Sequence, residues 1–200
     1  MKAISIGLCY AFVSLIFFSC QKEVSDIPDS DISILGNWKF VSMDVSTNST
    51  VESTDALGSL KTITTSNYIT ENNTGNVTID ASKMSISNVS YSVNTIAEGY
   101  IYTDGSLTDS IEAPLQYNAP ATSGVYNYRM ISSDSIYFDS GSFFMNGATQ
   151  QSLPGGAKLK MQGDTLYLIQ SSAQTKTLDT LGATIVSNLQ AKASIKLLRQ

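Results

Sequence analysis

The sequence contains no histidine, and its two cysteines are Cys9 and Cys20. The lack of histidine excludes a Ser-His-Asp triad, histidine-ligated metal sites and the usual proton carrier at neutral pH. Both cysteines lie near the N-terminus, so the rest of the chain can form neither a disulfide nor a cysteine metal site. We therefore expect no cofactor, no metal site and no thiol chemistry in the main part of the protein.

Positive charge is also scarce. The chain has 12 lysines and arginines against 17 acidic residues, for a formal net charge of −5. The acidic residues are spread along the chain rather than clustered. Because nucleic-acid binding depends on basic patches that displace counterions, this composition predicts no nucleic-acid partner.

The longest apolar run lies at the N-terminus, where Met1-Lys2 precedes the apolar stretch Ile4–Phe18. This stretch is shorter than the roughly 20 residues of a membrane-spanning helix, so it indicates a cleaved signal over residues 1–19. Phe17-Phe18-Ser19 before Cys20 resembles a bacterial lipobox, although Phe18 stands where a small residue is usual. The resemblance implies cleavage before Cys20 and lipidation of that cysteine. The alternative is an ordinary secretory signal with an incidental cysteine.

A polar segment follows the cysteine, and residues 20–33 are predicted to be the lipidated cysteine and a flexible tether. Extended, residues 21–33 would span about 40 Å. Cys20-Gln21-Lys22-Glu23 resembles the export tag of Bacteroidetes surface lipoproteins, and Gln21 replaces the aspartate that inner-membrane lipoproteins often carry. These resemblances imply a lipid anchor in the outer membrane, and they favour the cell-surface face over the periplasmic face.

Residues 34–200 are predicted to form one domain, rich in the residues that suit pleated sheets and turns. Apolar side chains alternate with polar ones in Val77-Thr78-Ile79 and Ile195-Lys196-Leu197, and turn residues such as Asp104-Gly105 lie between such segments. The pattern predicts an all-β fold, an antiparallel meander that closes into a barrel of about 8–10 strands. A β-sandwich is the alternative.

The expected strands are short, for example Lys83–Ser87, Val89–Val93 and Gly99–Thr103. Two regions fit the alternation poorly: Asn48–Leu60 is predicted to be a loop or to contain a short helix around Thr54–Leu60, and Leu178–Gln190 is predicted to be a hairpin or a helix that leads into the last strand. Pro154-Gly155-Gly156 is predicted to be a turn.

Gly36-Asn37-Trp38, which contains the only tryptophan, resembles the start of the first strand in lipocalins and in lipocalin-like bacterial lipoproteins. In that family an arginine near the last strand packs on this tryptophan, which implies that Trp38 and Arg199 close one end of a barrel. The alternative is that Trp38 is an ordinary core aromatic of a sandwich and Arg199 a solvated charge. The resemblance also implies binding of a small apolar or amphipathic ligand. If Arg129 faces inward, it would meet an anionic head group of that ligand, with Tyr126 and Tyr128 beside it. The alternative is an outward, solvated Arg129.

Carboxylates are the remaining candidates for catalysis. The pairs Asp134 with Asp139 and Glu98 with Asp104 could serve glycoside hydrolysis, but acids in such turns usually cap backbone groups, so we expect no catalytic residues.

Four Asp-Ser/Thr-apolar triplets resemble the O-glycosylation signal of exported Bacteroidetes proteins; they begin at Asp109, Asp134, Asp164 and Asp179.

Three functions remain open from the sequence. The first is non-catalytic binding of a small ligand by a membrane-anchored, lipocalin-like barrel. The second is a structural or accessory surface module that contacts an outer-membrane protein or an extracellular polymer. The third is a carboxylate-based hydrolase.

Overall fold

The computed structural model describes residues 33–141, 154–180 and 182–200. Cys20, the predicted signal and almost all of the predicted tether lie outside these residues. Within them the chain forms ten β-strands. The strands are β1 Gly36–Asp55, β2 Gly58–Ile69, β3 Glu71–Ile79, β4 Lys83–Thr103, β5 Ser106–Asn127, β6 Arg129–Ser132, β7 Ser135–Phe138, β8 Gly155–Gln162, β9 Thr165–Thr180 and β10 Ala183–Arg199. This part of the chain has no helix of the length and hydropathy needed to cross a membrane.

Every paired strand in this sheet is antiparallel to its neighbour. The strand order is β2-β4-β3-β1-β10-β9-β8-β7-β6, with β5 paired to β4. The predicted all-β antiparallel meander is therefore confirmed. The strand order is consistent with the predicted barrel and with its sandwich alternative, and the first and last strands, β1 and β10, are neighbours.

The strands β2 and β3 follow one another between β1 and β4, separated by Thr70. Strand β2 pairs with the later part of β1 and of β4, whereas β3 pairs with the earlier part of each. These four strands consequently form a closed hydrogen-bonded ring.

The residue Tyr128 joins β5, whose partner is β4, to β6, whose partner is β7. Its backbone nitrogen donates to the Ser82 carbonyl at 2.8 Å, and its hydroxyl donates to the Asp80 carbonyl. Its ring lies 6.2 Å from that of Phe138, and only 5% of its surface is exposed. Between β5, which pairs with β4, and β6, which pairs with β7, the chain is therefore fixed in the core at Tyr128.

The strands are longer than the sequence predicts, and the three short strands expected between Lys83 and Thr103 form the 21-residue strand β4. The prediction of a loop or short helix over Asn48–Leu60 is wrong. This stretch is the end of β1, a tight turn and the start of β2, because consecutive residues of β1 pair in register with both β2 and β10. Leu178–Gln190 is a hairpin, one of its two predicted forms.

The prediction of a turn at Pro154-Gly155-Gly156 is also wrong. Strand β8 begins at Gly155, which lies opposite Phe138 of β7, and Gly156 lies opposite Tyr137. Pairing with a neighbouring strand overrides the local preference of glycine for turns.

The apolar core occupies one end of the sheet, which we call the core end. Its fully buried side chains are Trp38, Phe40, Val77, Ile79, Met84, Val89, Ile136, Phe138, Leu166, Leu168, Ile195 and Leu197. Burying one such side chain contributes about 1.5–3 kcal/mol. At the opposite end, which we call the distal end, the hairpins β1–β2, β4–β5 and β9–β10 turn back.

Candidate functional site

The core end is covered by contacts between the first and last strands, where Trp38 lies opposite Arg199. The Arg199 guanidinium lies 4.5 Å from the centre of the Trp38 ring, and Trp38 is fully buried. The guanidinium donates to the carbonyls of Ser33 at 2.7 Å and Leu35 at 3.4 Å, while the Trp38 indole donates to the Ile34 carbonyl at 2.9 Å. A cation over an indole contributes about 0.5–2 kcal/mol. The pair thus holds the segment before β1 against the core.

The three predicted ligand residues lie in different environments. The Arg129 side chain is 59% exposed; its Nε lies 3.5 Å from Asp139, and its guanidinium lies 4.8 Å from the centre of the Tyr137 ring. Tyr128 belongs to the core, and Tyr126 packs against the core while half-buried. Arg129 therefore takes part in an exposed ion pair, whereas the two tyrosines pack with apolar side chains.

The carboxylates Asp134 and Asp139 are held apart by strand β7. A four-residue strand spans about 13 Å, more than the 5–10 Å typical of glycosidase carboxyl pairs. Asp134 accepts hydrogen bonds from the hydroxyls of Ser132 and Ser135 at 2.8 and 2.9 Å, which lower the pKa of its carboxyl group. It serves as a turn cap.

The second pair, Glu98 and Asp104, also has structural partners. Glu98 accepts a hydrogen bond from the Tyr100 hydroxyl at 2.8 Å. Asp104 accepts one from the Ser59 backbone nitrogen at 2.8 Å and so ties the β4–β5 turn to β2. Across the described ranges, no group of three or more His, Cys, Asp or Glu residues is placed to hold a metal ion.

The hydroxyl residues of the four Asp-Ser/Thr-apolar triplets all lie in strands. Ser135 and Thr165 begin β7 and β9, Thr180 ends β9, and Ser110 lies within β5. Ser110 and Thr180 are exposed, and the other two are half-buried. The structure places two of the triplets where an enzyme could reach the hydroxyl directly.

Beyond the core, the distal parts of β5, β4, β2, β1, β10 and β9 continue as a sheet, and the cross-strand register identifies which side chains share the face of the core. We call this the core-side face and the opposite one the outer face. Large apolar side chains on the core-side face remain exposed: Val51 41%, Leu60 50%, Ile111 52%, Tyr117 49% and Leu178 59%. The apolar lining of the interior therefore continues past the region that the protein fills with its own side chains.

Glycine at position 99 lets one of these side chains lie flat on the sheet. Gly99 is buried beneath Ile111 of the neighbouring strand, and a Cβ atom at residue 99 would lie 2.8 Å from Ile111 Cγ1. The face is therefore shaped by small residues as well as by apolar ones.

Three tyrosines, Tyr68, Tyr91 and Tyr117, lie where the core meets the core-side face. The Tyr91 ring is 6.3 Å from Phe40 of the core and 6.4 Å from Tyr117. Burial, with smaller contributions from Tyr68 and Tyr117, raises the pKa of Tyr91 to about 12. Burial also raises the pKa of Tyr68. The phenols of Tyr68 and Tyr91 are therefore neutral at physiological pH.

The raised pKa of Tyr91 predicts a loss of stability in alkali. The unfolded chain ionises tyrosine near pH 10, below the folded-state pKa of about 12. The contribution of the neutral Tyr91 phenol to the free energy of unfolding is therefore complete below pH 10 and is lost as the pH rises toward 12. In Tyr91→Phe we expect a shallower fall of the guanidinium unfolding midpoint across this range, and loss of the latest phenolate step in absorbance at 295 nm. An unchanged slope and an unchanged titration would contradict the assignment.

Two buried polar atoms on β9 lack hydrogen-bond partners: Ser172 Oγ and Gln174 Nε2. Their register with β10 and β1 places both on the core-side face. On the same face, the hydroxyl of Thr47, which lies two strands from Ser172, is hydrogen-bonded to that of Ser66 at 2.7 Å. Buried polar groups are normally hydrogen-bonded, so Ser172 Oγ and Gln174 Nε2 are unsatisfied polar atoms beside the core-side face.

Sequence reasoning missed this face. The segment over Asn48–Leu60 was expected to lack strand structure, so Val51 and Leu60 were not assigned to a sheet. The period-two series Thr47, Ser49, Val51 could have indicated the strand, because alternate residues share one face. Its hydroxyl-rich composition obscured the apolar pattern.

No protein family and no curated protein matches the chain. Among solved structures it is similar to "The crystal structure of Ail, the attachment invasion locus protein of Yersinia pestis", with 8% sequence identity over 78% of this chain and 97% of that chain and a TM-score of 0.18. A TM-score this low carries no argument about fold or function.

Proposed function

We propose that the protein is a non-catalytic binding protein with a lipocalin-like barrel, anchored to the outer membrane through lipidated Cys20. Its ligand is a small amphipathic molecule with an acyl-like apolar part. The ligand lies on the core-side face at the distal end, covers the apolar side chains there and contacts Ser172 and Gln174 with its polar group.

This function is supported above all by the exposed apolar side chains on the core-side face. Val51, Leu60, Ile111 and Leu178 share the face of the core, yet 41–59% of each is exposed. An apolar surface that continues a protein interior favours an apolar occupant, since burying it releases about 25 cal/mol per Å². The unpartnered Ser172 Oγ and Gln174 Nε2 favour an occupant that is polar at one end.

The barrel and the anchor have separate support. The contact of Trp38 with Arg199, and the pairing of the first strand with the last, are what a lipocalin-like closure requires. The lipobox-like residues before Cys20 and the polar segment after it support the anchor. A short tether would keep the binding face near one membrane, where amphipathic molecules are concentrated.

A fluorescent fatty acid tests the binding face. We expect dansyl-labelled undecanoic acid to bind the full chain in a Cys20→Ser background, which prevents acylation, with a rise in dansyl emission. The double variant Leu60→Thr/Ile111→Thr should weaken binding about tenfold, because it removes apolar contact worth roughly 1.4 kcal/mol. Titration of emission gives the Kd.

The matched control changes equally exposed residues on the other face. Ile69 and Ile96 are 62% and 55% exposed and lie on the outer face. Ile69→Thr/Ile96→Thr should leave the Kd within about twofold. An equal loss of affinity for the fatty acid in the two double variants, or no binding by the parent chain, would show that the core-side face is not the ligand site.

A further inference from the structure

Four lysines lie together on the outer face of strands β8 and β10. Lys158 and Lys160 alternate with buried residues of β8, and Lys192 and Lys196 alternate with buried residues of β10. The whole chain contains 12 lysines and arginines and carries a net charge of −5. This face is therefore a local basic patch on an acidic protein.

The cross-strand register sets the spacing of the patch. Tyr167 of β9 lies between Lys160 and Lys196, and Ser171 lies beside Lys192. Lysines two strands apart are separated by about 10 Å, and Lys192 and Lys196, on one strand, by about 13 Å. Such spacing suits a chain of repeated charges better than a single anion.

Most of these charges have no acidic partner. Lys158 lies 3.5 Å from Asp134. In the described residues, Lys160, Lys192 and Lys196 make no ion pair. Asp44 shares the face opposite Ser194 and offsets part of the charge. Three ammonium groups thus remain available to an anionic partner.

A groove of about 420 Å³ continues the patch toward the distal end. Ser172 and Ala191 form part of its lining. The outward-facing residues of the groove are Ser46, Asn48, Ser171, Ala173, Gln190 and Lys192, of which Lys192 alone is charged. These residues form two rows across β1, β10 and β9. Hydroxyl and amide groups in this arrangement can both donate and accept hydrogen bonds, as sugar hydroxyls require.

We infer that this outer face binds an acidic polysaccharide. Carboxylates along the polymer contact Lys160, Lys192 and Lys196, and a sugar unit occupies the groove, where Asn48 and Gln190 bond its hydroxyls. The neutral lining of the groove favours a polyhydroxylated polymer over a nucleic acid, whose phosphates demand a cation at each contact. The lysines and the outward-facing side chains of the groove lie on the opposite side of the sheet from the proposed ligand face, and Ser172 borders both.

Polygalacturonate is a suitable probe, with dextran as its uncharged counterpart. We expect the full chain in the Cys20→Ser background to bind immobilised polygalacturonate at low salt and to leave dextran unbound. Lys192→Gln/Lys196→Gln should weaken binding about fivefold or more and reduce its dependence on salt. Asn48→Ala/Gln190→Ala should weaken binding while leaving the salt dependence unchanged.

The control Lys61→Gln/Lys83→Gln removes the same charge elsewhere, and thermal unfolding checks that each variant is folded. Equal loss in the control and in the Lys192/Lys196 variant would overturn the site, since only net charge would matter. Stronger lysine-dependent binding to duplex DNA or to phosphatidylglycerol vesicles than to polygalacturonate would also overturn it. The dansyl fatty acid should bind all these variants normally, so failure here is distinguishable from failure of the proposed function.

Discussion

Replacing Trp38 with alanine should lower the free energy of unfolding by about 3–5 kcal/mol. The ring is fully buried, and it supports both the core and the segment before β1. Its loss leaves a cavity at the core end, removes the surface under Arg199 and leaves the Ile34 carbonyl without its indole donor. Guanidinium denaturation followed by circular dichroism measures the change.

Two further variants separate the parts of this effect. Trp38→Phe keeps most of the packing and should cost less than the alanine variant. Arg199→Gln keeps the tryptophan but removes the cation, so it should cost about 1–2 kcal/mol. If Arg199→Gln were as destabilising as Trp38→Ala, the cation rather than the buried ring would hold the core end together.

Gly75→Ala should destabilise the protein by roughly 2–4 kcal/mol, from backbone strain and displacement of β3. Gly75 has a φ of 103°, a backbone conformation that residues with a Cβ atom rarely adopt. A Cβ there would lie 2.6 Å from Val89 Cα and 2.7 Å from the Asn88 carbonyl oxygen. Because these are backbone atoms of β4, they cannot move without disturbing the pairing of β3 with β4.

Gly105→Ala is the matched control for Gly75→Ala. Gly105 also has a positive φ, 79°, but nothing lies within 4 Å of its Cβ position. Its variant should therefore show only the conformational cost, about 1 kcal/mol. Equal unfolding midpoints for the two variants would contradict the close approach of β3 and β4 at Gly75.

Much of the fold could be predicted because its signals are local. Alternation in segments such as Val77-Thr78-Ile79 identifies a strand with one buried face, and pairs such as Asp104-Gly105 identify a turn. Strand length could not be predicted in the same way. The distal part of β1 is a strand because β2 and β10 pair with it on both sides, which its hydroxyl-rich sequence does not reveal.

The candidate sites depended more heavily on the tertiary structure. A one-residue shift in register reverses the face on which every side chain of a strand lies. The sequence left open whether Arg129 faces inward, and the pairing of β6 with β7 places it outside, beside Tyr137 and Asp139. The exposed core-side positions of Leu60 and Ile111 follow from the same kind of pairing.

Composition and local pattern were enough to determine an all-β chain without histidine chemistry, and the resemblance of Gly36-Asn37-Trp38 to the lipocalin entry singled out Trp38 and Arg199. The basic patch was decided by the tertiary structure alone. Lys160 and Lys196 are far apart in the sequence, and the scattered charges of the chain predicted no patch. Lys160 and Lys196 share one surface because β8 and β10 both pair with β9. Side chains on neighbouring strands align only once the backbone hydrogen bonds set the register.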